Sequence, residues 1–141
     1  MSEIDSADLN QQELTQILLN SKSIAVVGAS PNVARPSHWI SQYLMGNGYQ
    51  VIPVNPGHTS LLGVPCFPNL ISINQPVDIV NIFRRSDQVL TIVEDALKLS
   101  NLKLIWMQDN VINEAAAELA KAAGVPVVMN DCIYRFHCRI S

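Results

Sequence analysis

Three short segments carry side chains suited to holding phosphate. The first is Gly28-Ala29-Ser30, which closes an apolar run and is followed by Arg35-Pro36. A glycine there lets the backbone turn sharply, so that N–H groups at the start of a following helix face an anion, and the Ser30 hydroxyl adds a donor. The Arg35 guanidinium offers a planar fork for phosphate oxygens and has no carboxylate near it in sequence. The loop lacks the full GxGxxG spacing, so the glycine taken alone is equally consistent with a plain tight turn. The second segment, Phe83-Arg84-Arg85, combines an apolar plate for an adenine or a pantetheine arm with two more phosphate partners. The competing reading is a core ring followed by solvated charges. The third is Trp106-Met107-Gln108, where Trp106 belongs in a core and Gln108 can face a cleft.

Nucleophilic and metal chemistry find less support. Cys132 sits in Asn130-Asp131-Cys132 with His137 downstream, but nothing is positioned to orient a Cys–His pair, and a buried inert thiol is the expected state. The three cysteines, Cys66, Cys132 and Cys138, show no CxxC spacing, which argues against a disulfide framework or a structural zinc site. His38 and His58 read as a helix-surface residue and a turn residue rather than ligands. No GxSxG elbow, P-loop or HExxH element occurs. The formal net charge of −3 argues against nonspecific nucleic-acid binding. Locally the sign differs: no Asp or Glu occurs between Gly28 and Asp78, a stretch that holds Arg35, His38 and His58.

These segments need elements to position them, and the hydrophobic pattern supplies an alternation. Asp8 is the expected cap of an opening helix that presents Leu9, Leu14, Ile17 and Leu18. Ser23 to Gly28 is a continuous apolar run, as in a parallel strand covered on both faces. Trp39, Ile40, Tyr43 and Leu44 recur at helical spacing until Gly46-Asn47-Gly48, and Tyr49 to Val54 forms a second strand that ends in the turn Asn55-Pro56-Gly57. The stretch from His58 to Pro76 reads as an irregular connection with a short strand near Val64 to Phe67. Strands are then expected at Val77 to Phe83, Lys103 to Met107 and Val125 to Met129, with helices at Asp87 to Leu99 and Asn113 to Ala123.

The alternation predicts an α/β, Rossmann-like, three-layer αβα sandwich with a mostly parallel sheet. The 141 residues make one domain, with residues 1–22 a helix docking on it and residues 23–141 the nucleotide-binding body. No segment reads as a targeting sequence or a membrane span, so a cytoplasmic protein is expected. Ligands of such sheets lie beyond the carboxyl ends of the strands, which is where all three phosphate-bearing segments fall. An NAD-binding unit places an Asp or Glu at the end of the second strand to hold the ribose; here Val54-Asn55-Pro56 stands there instead. The gap favours a cofactor with an extra ribose phosphate, and both coenzyme A and NADP carry one.

The chain resembles the small stand-alone bacterial CoA-binding proteins, related to the CoA-binding N-terminal domain of the succinyl-CoA synthetase alpha subunit. The likeness runs through Val26-Val27-Gly28-Ala29-Ser30-Pro31, Arg35-Pro36-Ser37, Gly48 to Pro56, Leu62-Gly63, Val77-Asp78-Ile79-Val80, Phe83-Arg84-Arg85, Trp106-Met107-Gln108 and Val111-Ile112-Asn113-Glu114. It implies that Gly28, Ala29, Ser30 and Arg35 receive the phosphates of CoA or an acyl-CoA, with Asn55, Pro56 and Phe83 near the adenosine. Arg84 or Arg85 then meets the ribose phosphate. Two places depart from the pattern, Asn110 standing for a glycine and Asn130-Asp131-Cys132 for Asp-Arg-Cys. The synthetase's phosphorylated histidine belongs to a part of that enzyme with no counterpart here. A binding module without chemistry of its own is therefore favoured over an oxidoreductase or transferase using NADP or acyl-CoA, and over an interaction protein with a vestigial pocket. The expected partner is a small-molecule nucleotide cofactor, with neither nucleic acid nor membrane; a homodimer is the one protein partnership kept open.

Overall fold

A computed structural model describes residues 10–141. Helix α1 (Gln11–Asn20) opens on a capping box, in which the Asn10 side chain accepts the Glu13 N–H at 2.8 Å and Glu13 reaches back to the Asn10 N–H at 3.2 Å. Asp8 and Leu9, expected in this helix, lie outside the described residues. The sheet strands are β1 (Ser23–Val27), β2 (Gln50–Val54), β5 (Ile79–Ile82), β6 (Leu104–Met107) and β7 (Val127–Val128). Between β2 and β5 the connection forms a two-stranded hairpin, β3 (Ser60–Leu61) and β4 (Val64–Pro65). Its two-residue turn is Leu62-Gly63, both with positive φ.

The five sheet strands are parallel, in the order β2-β1-β5-β6-β7. Their side chains alternate between two cores. Ile24, Val26, Ile79, Leu104 and Trp106 pack with α1, α2 (Pro36–Gly46) and α5 (Ile133–Ile140). Ala25, Val27, Val80, Ile82, Ile105 and Met107 pack with α3 (Val89–Ala96) and α4 (Glu114–Ala122). Burial on both faces is why these strands are continuously apolar. The Rossmann-like three-layer reading holds.

The differences from expectation are local. The helix expected over Asp87 to Leu99 begins as a 3₁₀ turn (Ser86–Gln88), and its α-helical part stops at Ala96. Helix α5 was not expected at all; it buries Ile133 and Phe136 against the sheet. His38, expected on a helix surface, is buried, with Nδ1 2.7 Å from the Ser30 carbonyl oxygen. At the amino end of the sheet, buried Asp78 accepts the backbone N–H groups of Lys22 (2.7 Å) and Ser23 (3.3 Å) and lies 3.5 Å from the Lys103 ammonium. These bonds lock the starts of β1 and β5 together. Among the described residues, no helix is long and apolar enough to cross a membrane.

Candidate functional site

After β1 the chain goes first to β2 on one side, and later to β5 on the other, so the strand order reverses at β1 and β5. Their carboxyl ends are the place where such a sheet opens a crevice. Gly28 sits there with φ +89°, and a Cβ at this position would overlap the Phe83 carbonyl oxygen and come within 3.0 Å of Arg84 Cδ. Only glycine lets the loop after β1 lie this close to the loop after β5. The Gly28 N–H is not free for an anion: it donates to the Val54 carbonyl at 3.0 Å. The Ala29 and Ser30 N–H groups have no partner among the described residues. The Ser30 Oγ accepts the Asn32 N–H at 3.0 Å, which leaves its own proton to give. Helix α2 then starts with Pro36 in its first turn, and Arg35 caps it without a side-chain bond.

Asn55, at the end of β2, braces this loop. Its Nδ2 donates to the Ala29 carbonyl at 2.8 Å, and its Oδ1 accepts the Gly57 N–H at 2.8 Å. Three guanidiniums stand in the region in different states. Those of Arg35 and Arg84 have no hydrogen-bond or ion-pair partner among the described residues. Arg85 pairs with Asp87 at 3.2 Å, an exposed pair that competes with any ligand anion.

Two clefts flank the Gly28–Phe83 contact. The first, about 420 Å³, lies on the α3 side and is walled by Gly28, Val54, Pro56, Pro68, Leu70, Arg84, Gln88 and Ile92. The second, about 380 Å³, lies between α2 and α5 and is walled by Pro36, Trp39, Ile40, Phe83, Gln108, Cys132 and Tyr134. A hollow of about 270 Å³ lined by Phe83, Arg84, Arg85 and Gln88 shares Arg84 and Gln88 with the first cleft and Phe83 with the second, so it is a neighbour of both.

The residues singled out from sequence therefore divide. Gly28, Pro56 and Arg84 line the first cleft, Pro36, Phe83 and Gln108 the second, and Arg85 the hollow between. Phe83 thus lines a different cleft from Pro56. Ala29, Ser30, Arg35 and Asn55 line none of the three. Sequence reasoning missed Gln88, Thr91, Ile92 and Asp95, which form one wall of the first cleft. The spacing of Thr91, Ile92 and Asp95 on α3, with Gln88 at its N-cap just past the paired arginines, was the available signal.

Cys132 is buried, and His137 does not serve it: the imidazole Nδ1 lies 2.7 Å from the Tyr43 hydroxyl. Burial holds His137 below its ordinary pKa, and burial, helped by Cys138, pushes Tyr43 up to about 12. The carboxylate of Asp131 accepts the Cys132 N–H at 2.7 Å. No group of three or more metal-ligating side chains gathers among the described residues.

Comparison with known proteins adds a family. The profile described as CoA binding domain matches residues 22–137. The protein YneT of Bacillus subtilis is 40% identical over 128 residues, which is 91% of this chain and 94% of YneT. A solved structure described as a hypothetical protein from Pyrococcus horikoshii superposes with a TM-score of 0.89 at 34% identity, covering 99% of this chain and 97% of that one. The ADP-forming acetate–CoA ligase I of Archaeoglobus fulgidus is 27% identical over 133 residues, 88% of this chain but 19% of the ligase.

Proposed function

The chain belongs to the CoA-binding domain family, and from that premise we propose that it is a binding module for coenzyme A or an acyl-CoA, seated at the switch point of the sheet. The adenosine occupies the cleft on the α3 side, between Pro56, Leu70 and Ile92. The diphosphate meets the Ala29 and Ser30 N–H groups and the Arg35 guanidinium, and Arg84 takes a phosphate at the mouth of the cleft. The pantetheine arm crosses Phe83.

The observation that carries this reading is the contact of Gly28 with Phe83 and Arg84. It joins a loop with two unengaged N–H groups to an unpaired guanidinium, at the lip of a cleft large enough for an adenosine. Of the two acids that line this cleft, Asp87 is paired with Arg85 and Asp95 with Lys98. Among the described residues no cluster of metal-ligating side chains gathers at the site, and we read the module as one that holds or delivers the cofactor.

Isothermal titration with CoA, dephospho-CoA, NADP and NAD tests it. CoA is expected to bind best, and Arg35→Ala and Arg84→Ala each to weaken it roughly tenfold or more, the scale of one lost charge-assisted hydrogen bond. Arg85→Ala is expected to cost less, because its charge is already shared with Asp87. Binding of NADP alone would transfer the site to a nicotinamide cofactor, and unchanged CoA affinity in both arginine variants would move the phosphates elsewhere.

A further inference from the structure

The cleft between α2 and α5 has a property that plain CoA binding does not use. Gln108 lines it and is only 4% exposed. Its Oε1 accepts the Ile133 N–H at 3.0 Å, which fixes the orientation of the amide. Its Nε2 then has no partner among the described residues, and it is not one of the side-chain atoms sealed without one. The Nε2 is therefore open to the cleft, and a ligand that displaces solvent there must supply an acceptor or leave the donor unpaired at a cost.

The walls around that donor are apolar: Pro36, Trp39, Ile40, Phe83 and Tyr134. The rim is charged but not cationic. Arg135 is held by both oxygens of Asp109, at 2.8 and 2.7 Å, and by Asp131 at 3.3 Å, so two carboxylates face one guanidinium. Phe83 lines both this cleft and the hollow that Arg84 shares with the first cleft, so the two are neighbours. A ligand whose phosphates are held by the loop after Gly28 therefore has this cleft beside its far end.

We infer that this second cleft is an acyl-thioester subsite, in which Gln108 Nε2 donates to the thioester carbonyl and the aromatic walls take a short, uncharged acyl group. This rests on the CoA-binding reading above. The rim follows the same logic from the other side: a dicarboxylic acyl group such as succinyl brings a third carboxylate to an already acidic rim and is refused. The carbonyl is the group that distinguishes an acyl-CoA from CoA, so Gln108 is where the protein tells them apart. No bond is made or broken in this step.

The test is titration calorimetry at pH 8 with CoA, butyryl-CoA and succinyl-CoA on the wild-type protein, Gln108→Glu and Trp39→Ala. The glutamate keeps the acceptor for Ile133 and removes the donor; Trp39 is partly exposed, so its removal spares the core. The wild type is expected to prefer butyryl-CoA over succinyl-CoA, and each variant to lower the butyryl-CoA to CoA affinity ratio by about tenfold, the scale of one hydrogen bond to a buried carbonyl or one aromatic wall. If the wild type binds all three ligands equally and neither variant moves the ratio, the acyl subsite is wrong while CoA binding stands. If none of the three ligands binds, both readings fall together.

Discussion

Gly28→Ala attacks the contact on which the site is built, and its cost can be separated into two parts. Gly28 has φ +89°, a region where a Cβ costs roughly 1–2 kcal/mol. Against this, alanine restricts the unfolded chain and returns about 0.4–1 kcal/mol, so backbone strain alone nets near 1 kcal/mol. The second part is collision. The Phe83 carbonyl oxygen in the path of the new Cβ cannot simply retreat, because the Phe83 N–H is bonded to the Val27 carbonyl at 2.8 Å and the Gly28 N–H to Val54 at 3.0 Å. Overpacking at such a point adds about 2 kcal/mol. Gly63 supplies the control: its φ is +77° but a Cβ there meets nothing within 4 Å. Urea unfolding followed by the fluorescence of buried Trp106 is expected to show Gly63→Ala destabilised by about 1 kcal/mol and Gly28→Ala by about 3 kcal/mol. Gly28→Ala should also lose CoA binding, since the two loops are forced apart. Equal unfolding midpoints for the two variants would refute the close approach of the loops after β1 and β5.

Asn81, in the middle of β5, is fully buried, and neither its Nδ2 nor its Oδ1 has a hydrogen bond, so Asn81→Leu is expected to raise stability by about 1–2 kcal/mol in the same urea assay. A lower midpoint would mean that the amide is satisfied after all. Burial disfavours the Asp78 charge, but the N–H groups of Lys22 and Ser23 and the Lys103 ammonium prevail and hold its carboxyl below the usual range. Its contribution is therefore complete above the unfolded value of about 3.9 and lost as pH falls through the lower folded value. Asp78→Asn is expected to cost about 2 kcal/mol at pH 7 and the gap to the wild type to narrow as pH falls below about 3.9; a constant gap would remove ionisation from the account. His137, held down by burial, contributes stability above about pH 6.5 that is lost as pH falls toward its folded value. His137→Gln should flatten the unfolding midpoint between pH 7 and 5, and an unchanged slope there would count against a neutral buried imidazole.

The strands were legible because their burial on both faces leaves an uninterrupted apolar run that needs no partner to be recognised, as in Ile24 to Val27. Helix α5 was not, although Ile133, Phe136 and Ile140 fall at helical spacing. It is short, it starts three residues after Asn130 in a left-handed turn, and its Cys132 and His137 drew attention as chemistry rather than as a cap and a packing residue. The loops that gather at the switch point were legible from Gly28, Asn55-Pro56 and Phe83-Arg84-Arg85. The shape between them was not. Each cleft is walled by elements far apart in sequence, Pro68 and Leu70 with Ile92 in one case and Trp39 with Tyr134 in the other, and no local pattern encodes that pairing. The state of each arginine was equally hidden, since Arg84 and Arg85 are alike in sequence and differ only in the reach of Asp87.

Asn55 ties the absence of a ribose carboxylate to the architecture of the phosphate loop. An acid at the end of β2 would serve a ribose hydroxyl, but it could not donate, and the Ala29 carbonyl would lose the 2.8 Å bond that Asn55 Nδ2 now gives it. The amide does both halves of the work with one side chain: its oxygen holds the Gly57 turn and its nitrogen holds the loop whose Ala29 and Ser30 N–H groups remain unengaged. A carboxylate here would also place a negative charge beside the very loop proposed to receive a diphosphate, where like charges repel. The proposed preference for a cofactor with an extra ribose phosphate and the bracing of the Ala29 carbonyl thus both rest on an amide standing at the end of β2 where an acid could not donate.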